Sequence, residues 1–145
     1  MPEPRRILYI DDEPLLRELL KELLQVDGHE VEVSDGGEAG LGAFRLAQAQ
    51  GQPFDLVITD LGMPYLDGRQ VAGLVKQHSP TTPVIVLTGW GALMKEEGRQ
   101  SSCIDGVLSK PPRVHELREM LCSLPGPASH RPRCSNGSHT SLFRR

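Results

Sequence analysis

Short apolar runs and helical stripes alternate along this chain, and that alternation constrains the fold more than any other property. Ile7-Leu8-Tyr9-Ile10 reads as a first strand. Pro14 suits the first turn of a helix, and Leu15, Leu16, Leu19, Leu20, Leu23 and Leu24 recur at the spacing of an amphipathic one. Asp27-Gly28-His29 stops it. Glu30-Val31-Glu32-Val33 alternates, as a short strand near a sheet edge does. Residues 37–49 are helical in composition, although Gly40 and Gly42 each cost a helix up to about 1 kcal/mol. Leu56-Val57-Ile58 has the apolar, β-branched character of a strand buried on both faces. The pattern then predicts a helix over 67–78 with Asp67 as its N-cap and a strand over Val84–Leu87. A short helix over 91–100, a strand around Val107-Leu108 and a last helix over 113–123 follow. Such alternation with short loops builds an α/β fold, a parallel sheet with helices on both faces. Right-handed crossovers leave only a few doubly wound orders for it.

Composition matters where it excludes functions. The three cysteines, Cys103, Cys122 and Cys134, lack metal-ligand spacing and read as reduced thiols. No apolar run approaches the roughly 20 residues of a membrane span, and the N-terminus carries no signal-peptide core, so a cytoplasmic location is expected. The formal net charge of −3 is unevenly spread. Residues 125–145 hold Arg131, Arg133, Arg144 and Arg145 and no acid, which leaves −7 on the 124 residues before them. An acidic body argues against nucleic acid as its partner, because phosphate backbones need a basic face. The aperiodic Pro-, Gly-, Ser- and Arg-rich tail is expected to be disordered and solvated.

The polar residues that close the strands carry the chemistry. Asp11, Asp12 and Glu13 follow the first strand, Asp60 closes the third, Thr88 the fourth and Lys110 the fifth. In a parallel sheet these ends share one edge, where open α/β sheets bind ligands. Asp60 alone could be a helix cap or turn residue. Among neighbouring carboxylates it becomes part of a repelling cluster, whose natural partner is a hard divalent cation with oxygen ligands. Mg²⁺ takes one or two carboxylates together with phosphate oxygens. Lys110 and Thr88 would suit a phosphoryl group, and Asp60 is left as the nucleophile, since aspartyl phosphates are a known covalent intermediate.

Asp11-Asp12, Asp60 in Asp-Leu-Gly-Met-Pro, Thr88-Gly89 and Lys110-Pro111 together resemble the receiver domain of two-component response regulators, of the chemotaxis-regulator type. The resemblance covers about residues 5–124, leaving 125–145 as the tail. It implies a flavodoxin-like sheet of order 2-1-3-4-5 and a cis Lys110–Pro111 bond. It also implies Asp60 as phosphoacceptor from a phosphohistidine, on a histidine kinase or a histidine phosphotransfer protein. Mg²⁺ would be ligated by Asp12 and Asp60, by Asp11 mostly through water, and by the Gly62 backbone carbonyl. Lys110 and Thr88 would contact the phosphoryl oxygens. In the family the signal leaves through the fourth helix, fifth strand and fifth helix, a face that often makes homodimers.

Three positions depart from the family pattern. Val107 stands where many receivers carry an aromatic that rotates inward on activation. Trp90 lies two residues after Thr88, where packing on the neighbouring helix is the favoured expectation over shielding of the phosphoryl group. Pro112 follows Pro111 where an aromatic is frequent, and stiffens the start of the last helix. His29, His78 and His115 are expected at the surface, away from the site. No output domain is visible, so a stand-alone receiver or the receiver part of a hybrid kinase is expected. The competing readings are a Mg²⁺-dependent phosphohydrolase and a docking module that is never phosphorylated. Gly62 opposes the first, because such hydrolases place a second acid two residues after the nucleophile. The presence of Asp12, Asp60, Thr88 and Lys110 together opposes the second.

Overall fold

The computed structural model describes residues 4–89 and 103–124. Strands β1 (Arg6–Ile10), β2 (Glu30–Ser34), β3 (Leu56–Asp60), β4 (Val84–Thr88) and β5 (Gly106–Ser109) alternate with helices. The described helices are α1 (Pro14–Val26), α2 (Gly37–Ala49), α3 (Gly68–His78) and α4 (Val114–Ser123). All strand pairs are parallel and the sheet order is β2-β1-β3-β4-β5, as the resemblance implies. The helix expected over 91–100, the Trp90 ring and the tail lie outside the described residues.

Side-chain alternation along the strands divides the core in two. Leu8, Ile10, Val57, Val84 and Val86 meet Phe44 of α2 and Val71 and Val75 of α3. On the opposite face Ile7, Tyr9, Ile58, Ile85 and Leu87 meet Leu20 and Leu24 of α1 and Leu117 and Leu121 of α4. Strands β3 and β4 are buried along their whole length, whereas β2 is only partly covered. That difference is what continuous apolar runs and an alternating one respectively predict.

Helix α1 buries a narrower stripe than its six leucines suggest. Leu16, Leu20 and Leu24 face the sheet, while Leu15 and Leu19 remain 83% and 60% exposed. Leu16, Leu20 and Leu24 form one row along the helix against the sheet, and Leu15 and Leu19, about 100° around the helix from it, border the cleft at the strand ends instead. In α2, Gly40 is explained by contact, because a Cβ there would run into the Ile10 side chain of β1. The helix gives up propensity and gains close approach. Helix α3 starts as expected, with Asp67 Oδ1 accepting from Gln70 N at 3.0 Å and Gln70 Oε1 accepting from Asp67 N at 2.9 Å. This reciprocal capping box fixes where the helix begins.

One histidine departs from expectation. His29 is only 4% exposed, although His78 and His115 do lie at the surface. The cause lies across the sheet: the Arg5 backbone N–H needs an acceptor before β1 begins, and His29 Nδ1 supplies it at 3.0 Å.

Candidate functional site

Register brings the strand ends to one edge. Asp60 pairs with Leu87 in register, and Thr88 with Ser109, so Asp60, Thr88 and Lys110 follow one another across β3, β4 and β5. Asp11 N donates to Ser34 O at 3.0 Å, extending the β1–β2 pairing to the first carboxylate. The Lys110 amide donates to Thr88 O at 2.9 Å, tying the start of the next loop to the end of β4. The Lys110–Pro111 bond is cis.

Asp60 sits at 5% exposure, a position a carboxylate holds only with partners. Lys110 Nζ lies 2.9 Å from its Oδ2, and the Gly62 amide is a longer 3.4 Å from Oδ1. The backbone leaves no slack behind Asp60. Gly68, the first residue of α3, donates to Leu61 O at 2.9 Å, and a Cβ on Gly68 would stand 2.6 Å from Asp60 O. Only glycine allows α3 to begin against the end of β3 in this way.

Asp11 is fully buried. Its Oδ2 accepts from the Tyr9 hydroxyl at 2.6 Å, and its Oδ1 accepts from Glu13 N at 2.9 Å and faces Lys110 Nζ at 3.4 Å. Arg17 donates to the Asp11 backbone carbonyl at 2.8 Å. Asp12, the next residue, is exposed. Asp11, Asp12 and Asp60 each offer a carboxylate oxygen, all within 4.8 Å of one another. Glu13 adds a fourth carboxylate, 3.4 Å from Lys110. Burial works against the Lys110 charge, but the Asp60 hydrogen bond and the charges of Asp11 and Asp60 outweigh it. The ammonium is held above the usual lysine range.

An all-oxygen donor set this tight fits a hard cation such as Mg²⁺, which takes one or two carboxylates and keeps several waters. Asp12, Asp60, Gly62, Thr88 and Lys110 line one cleft of about 960 Å³, whose walls include Leu15 and Leu19 of α1. Sequence reasoning therefore named the residues that converge. It missed the Tyr9 hydroxyl, the Arg17 contact and Gly68. Tyr9 carried one legible signal, its place two residues before Asp11, the residue that follows β1, since extended backbone sends side chains two apart to the same side.

Comparison with known proteins agrees with this geometry. The response regulator receiver domain family matches residues 7–122. The chain is 34% identical over 126 residues to the response regulator protein FleR of Pseudomonas aeruginosa, a match covering 83% of this chain and 26% of FleR. It is 32% identical over 126 residues to the sensor histidine kinase GacS of Pseudomonas protegens, covering 83% of this chain and 13% of GacS. It thus spans about a quarter of the one relative and about an eighth of the other. Among solved structures, the response regulator protein TrrA of Thermotoga maritima, in complex with Mg²⁺-BeF, superposes with a TM-score of 0.69. That pair is 34% identical, over 83% of this chain and 99% of TrrA. With its fold, its acidic edge and a match that runs through all five strands, the chain belongs to the response regulator receiver domain family.

Proposed function

We propose that this chain is the phosphoaccepting switch of a two-component phosphorelay, with Asp60 as the residue that carries the phosphoryl group. The observation that carries the reading is the salt bridge of Lys110 Nζ to Asp60 Oδ2 at 2.9 Å inside a cluster of three aspartates. A lysine this close to a nucleophilic carboxylate is placed to meet the charge that arrives with a phosphoryl group.

Transfer needs little covalent chemistry from the protein beyond the nucleophile. An Asp60 carboxylate oxygen attacks phosphorus in line. The P–N bond of the donor phosphohistidine breaks, and its electron pair leaves with the imidazole. The transition state is loose, so positioning and charge stabilisation carry the catalysis. Lys110 turns from the carboxylate to an equatorial phosphoryl oxygen, and the Thr88 hydroxyl donates to another. Mg²⁺, held by Asp12, Asp60, the Gly62 carbonyl and (through water) Asp11, would supply further charge neutralisation when bound. Water later attacks phosphorus and releases phosphate, which makes the modification a timed one.

The donor in this reading is a histidine kinase or histidine phosphotransfer protein, a choice supported by the likeness to FleR and GacS. The response is a population shift passed on through β5, α4 and the segment over 91–100. Val107, half-buried in β5, stands in for the family's aromatic reporter, so side chains other than a rotating ring would carry the shift. The receiver domain is taken as residues 5–124, working in the cytoplasm, either alone or as part of a longer protein.

The test is intact mass after incubation with Mg²⁺ and acetyl phosphate. One labile phosphoryl adduct is expected on the wild-type chain and none on Asp60→Asn. An adduct that survives Asp60→Asn, or none on either protein, would sink the reading. Steady multiple-turnover release of phosphate would instead make the protein a hydrolase.

A further inference from the structure

Resting on the Mg²⁺-binding reading above, we propose that Tyr9 is a positioning residue for the metal site. Its hydroxyl reserves Asp11 Oδ2, so that the Asp11 carboxylate keeps one orientation and presents Oδ1 to Lys110 and the cation.

Tyr9 lies in the middle of β1, paired in register with Val33 on one side and Ile58 on the other, and it is fully buried. Its ring belongs to the apolar cluster beneath α1 and α4. Nothing in that packing calls for a hydroxyl; a phenylalanine would fill the same space. A buried phenol nevertheless needs a partner, and the partner here is a carboxylate of the acidic cluster. The Tyr9 Oη to Asp11 Oδ2 distance of 2.6 Å is that of a charge-assisted O–H···O⁻ bond. The hydroxyl is the donor in this bond, because an ionised carboxylate can only accept.

The two oxygens of Asp11 therefore have separate duties. Oδ2 points into the core and is satisfied there by Tyr9. Oδ1 is held by Glu13 N at 2.9 Å and looks toward Lys110 at 3.4 Å. Asp11 is fully buried, so without the phenol its Oδ2 would face no water to replace the bond. The carboxylate would then turn to share its charge differently with Lys110, and the aspartate cluster would lose its arrangement. Hydrogen-bond partners of metal-binding groups commonly change affinity by about 10–100-fold when removed.

The experiment titrates Mg²⁺ by calorimetry into the full chain, wild type and Tyr9→Phe, with urea unfolding of each as the stability control. The expected result is Mg²⁺ binding at least about tenfold weaker in Tyr9→Phe. Binding within about twofold of wild type, whatever the urea midpoint does, would show a hydroxyl that serves only stability and would overturn the inference. A wild-type chain that binds no Mg²⁺ would remove the functional reading and this inference together. If Tyr9→Phe does not fold, Tyr65→Phe leaves Tyr9 as the only one of the chain's two tyrosines. With ¹³C-labelled tyrosine, the Tyr9 Cζ resonance should then shift saturably as Mg²⁺ is added. A resonance that does not respond to bound Mg²⁺ would overturn the proposal.

Discussion

The two edges of the sheet use charge in opposite ways. At the edge where the strands begin, each described acid is matched. Asp27 accepts from Arg118 Nε and Nη2 at 2.8 and 2.9 Å. Asp55 accepts from Arg6 N at 2.8 Å, and Asp105 from Lys76 Nζ at 2.7 Å and from Val84 N at 2.8 Å. The Arg118 guanidinium, against the effect of burial, holds the Asp27 carboxyl below its ordinary range. At the edge where the strands end, Asp11, Glu13 and Asp60 all lean on Lys110, and Asp12 stands close by. One edge spends its charges on closing the fold. The other keeps a surplus of negative charge, which repels itself and is therefore ready for a cation. Functional sites commonly trade stability for readiness in this way.

If the contrast is real, removing an acid should have opposite consequences at the two edges. Asp12→Asn takes one charge from the repelling cluster. Mg²⁺ affinity should fall by no less than the 10–100-fold typical of lost outer contacts, because Asp12 would be a direct ligand. In the absence of Mg²⁺ the same variant should gain roughly 0.5–1 kcal/mol of stability. Calorimetry and urea unfolding in a chelating buffer measure the two effects. A variant less stable than wild type without metal would show that the surplus charge was not a strain.

Asp105→Ala is the counterpart. It strips the acceptor from the Val84 N–H at the buried start of β4 and from Lys76, which also donates to Thr82 O. An unsatisfied buried donor costs about 1–3 kcal/mol, and the urea midpoint should fall accordingly. Asp105 is remote from the acidic edge, so Mg²⁺ affinity should stay within about twofold of wild type. Loss of Mg²⁺ binding at a stability where the chain is still folded would break the separation of the two edges.

How much of this could be read in the sequence follows the same division. The functional edge was legible because each of its acids interrupts an apolar run, and the strand ends must lie together in a parallel sheet. The cap at Asp67 was legible because capping is local in the chain. What could not be read depends on separation in three dimensions. Gly68 resembles any glycine after an aspartate until α3 is seen to start against Asp60 O. Gly40 looked like a weakness in α2 until Ile10 of β1 was placed beside it. Tyr9 looked like core, and its ring is core; only its hydroxyl belongs to the site. A histidine in a turn, as His29 is, reads as a surface residue, and no local pattern shows that the Arg5 amide, 24 residues away, requires its Nδ1.

His29 also gives the smallest and most specific test of the balanced edge. Burial, helped by the Arg5 charge and opposed by Asp27, lowers its pKa below the ordinary histidine value. Among buried side-chain atoms of the described residues, its Nε2 is the one without a hydrogen-bond partner. Burial and the use of Nδ1 as an acceptor favour the neutral form in the folded chain, while the unfolded chain takes up a proton at about pH 6.5. Between the folded and unfolded values the unfolded state binds more protons, so stability rises with pH there and declines as pH falls below about 6.5. His29→Asn keeps an oxygen acceptor for the Arg5 amide and removes the titration. Urea midpoints from pH 7 down to about 5.5 should decline less steeply in the variant than in wild type. The difference in slope should stay below the ceiling for one proton, about 1.4 kcal/mol per pH unit. Parallel slopes would place the acid sensitivity among the carboxylates, and the burial of His29 would then be a matter of packing and the Arg5 hydrogen bond alone.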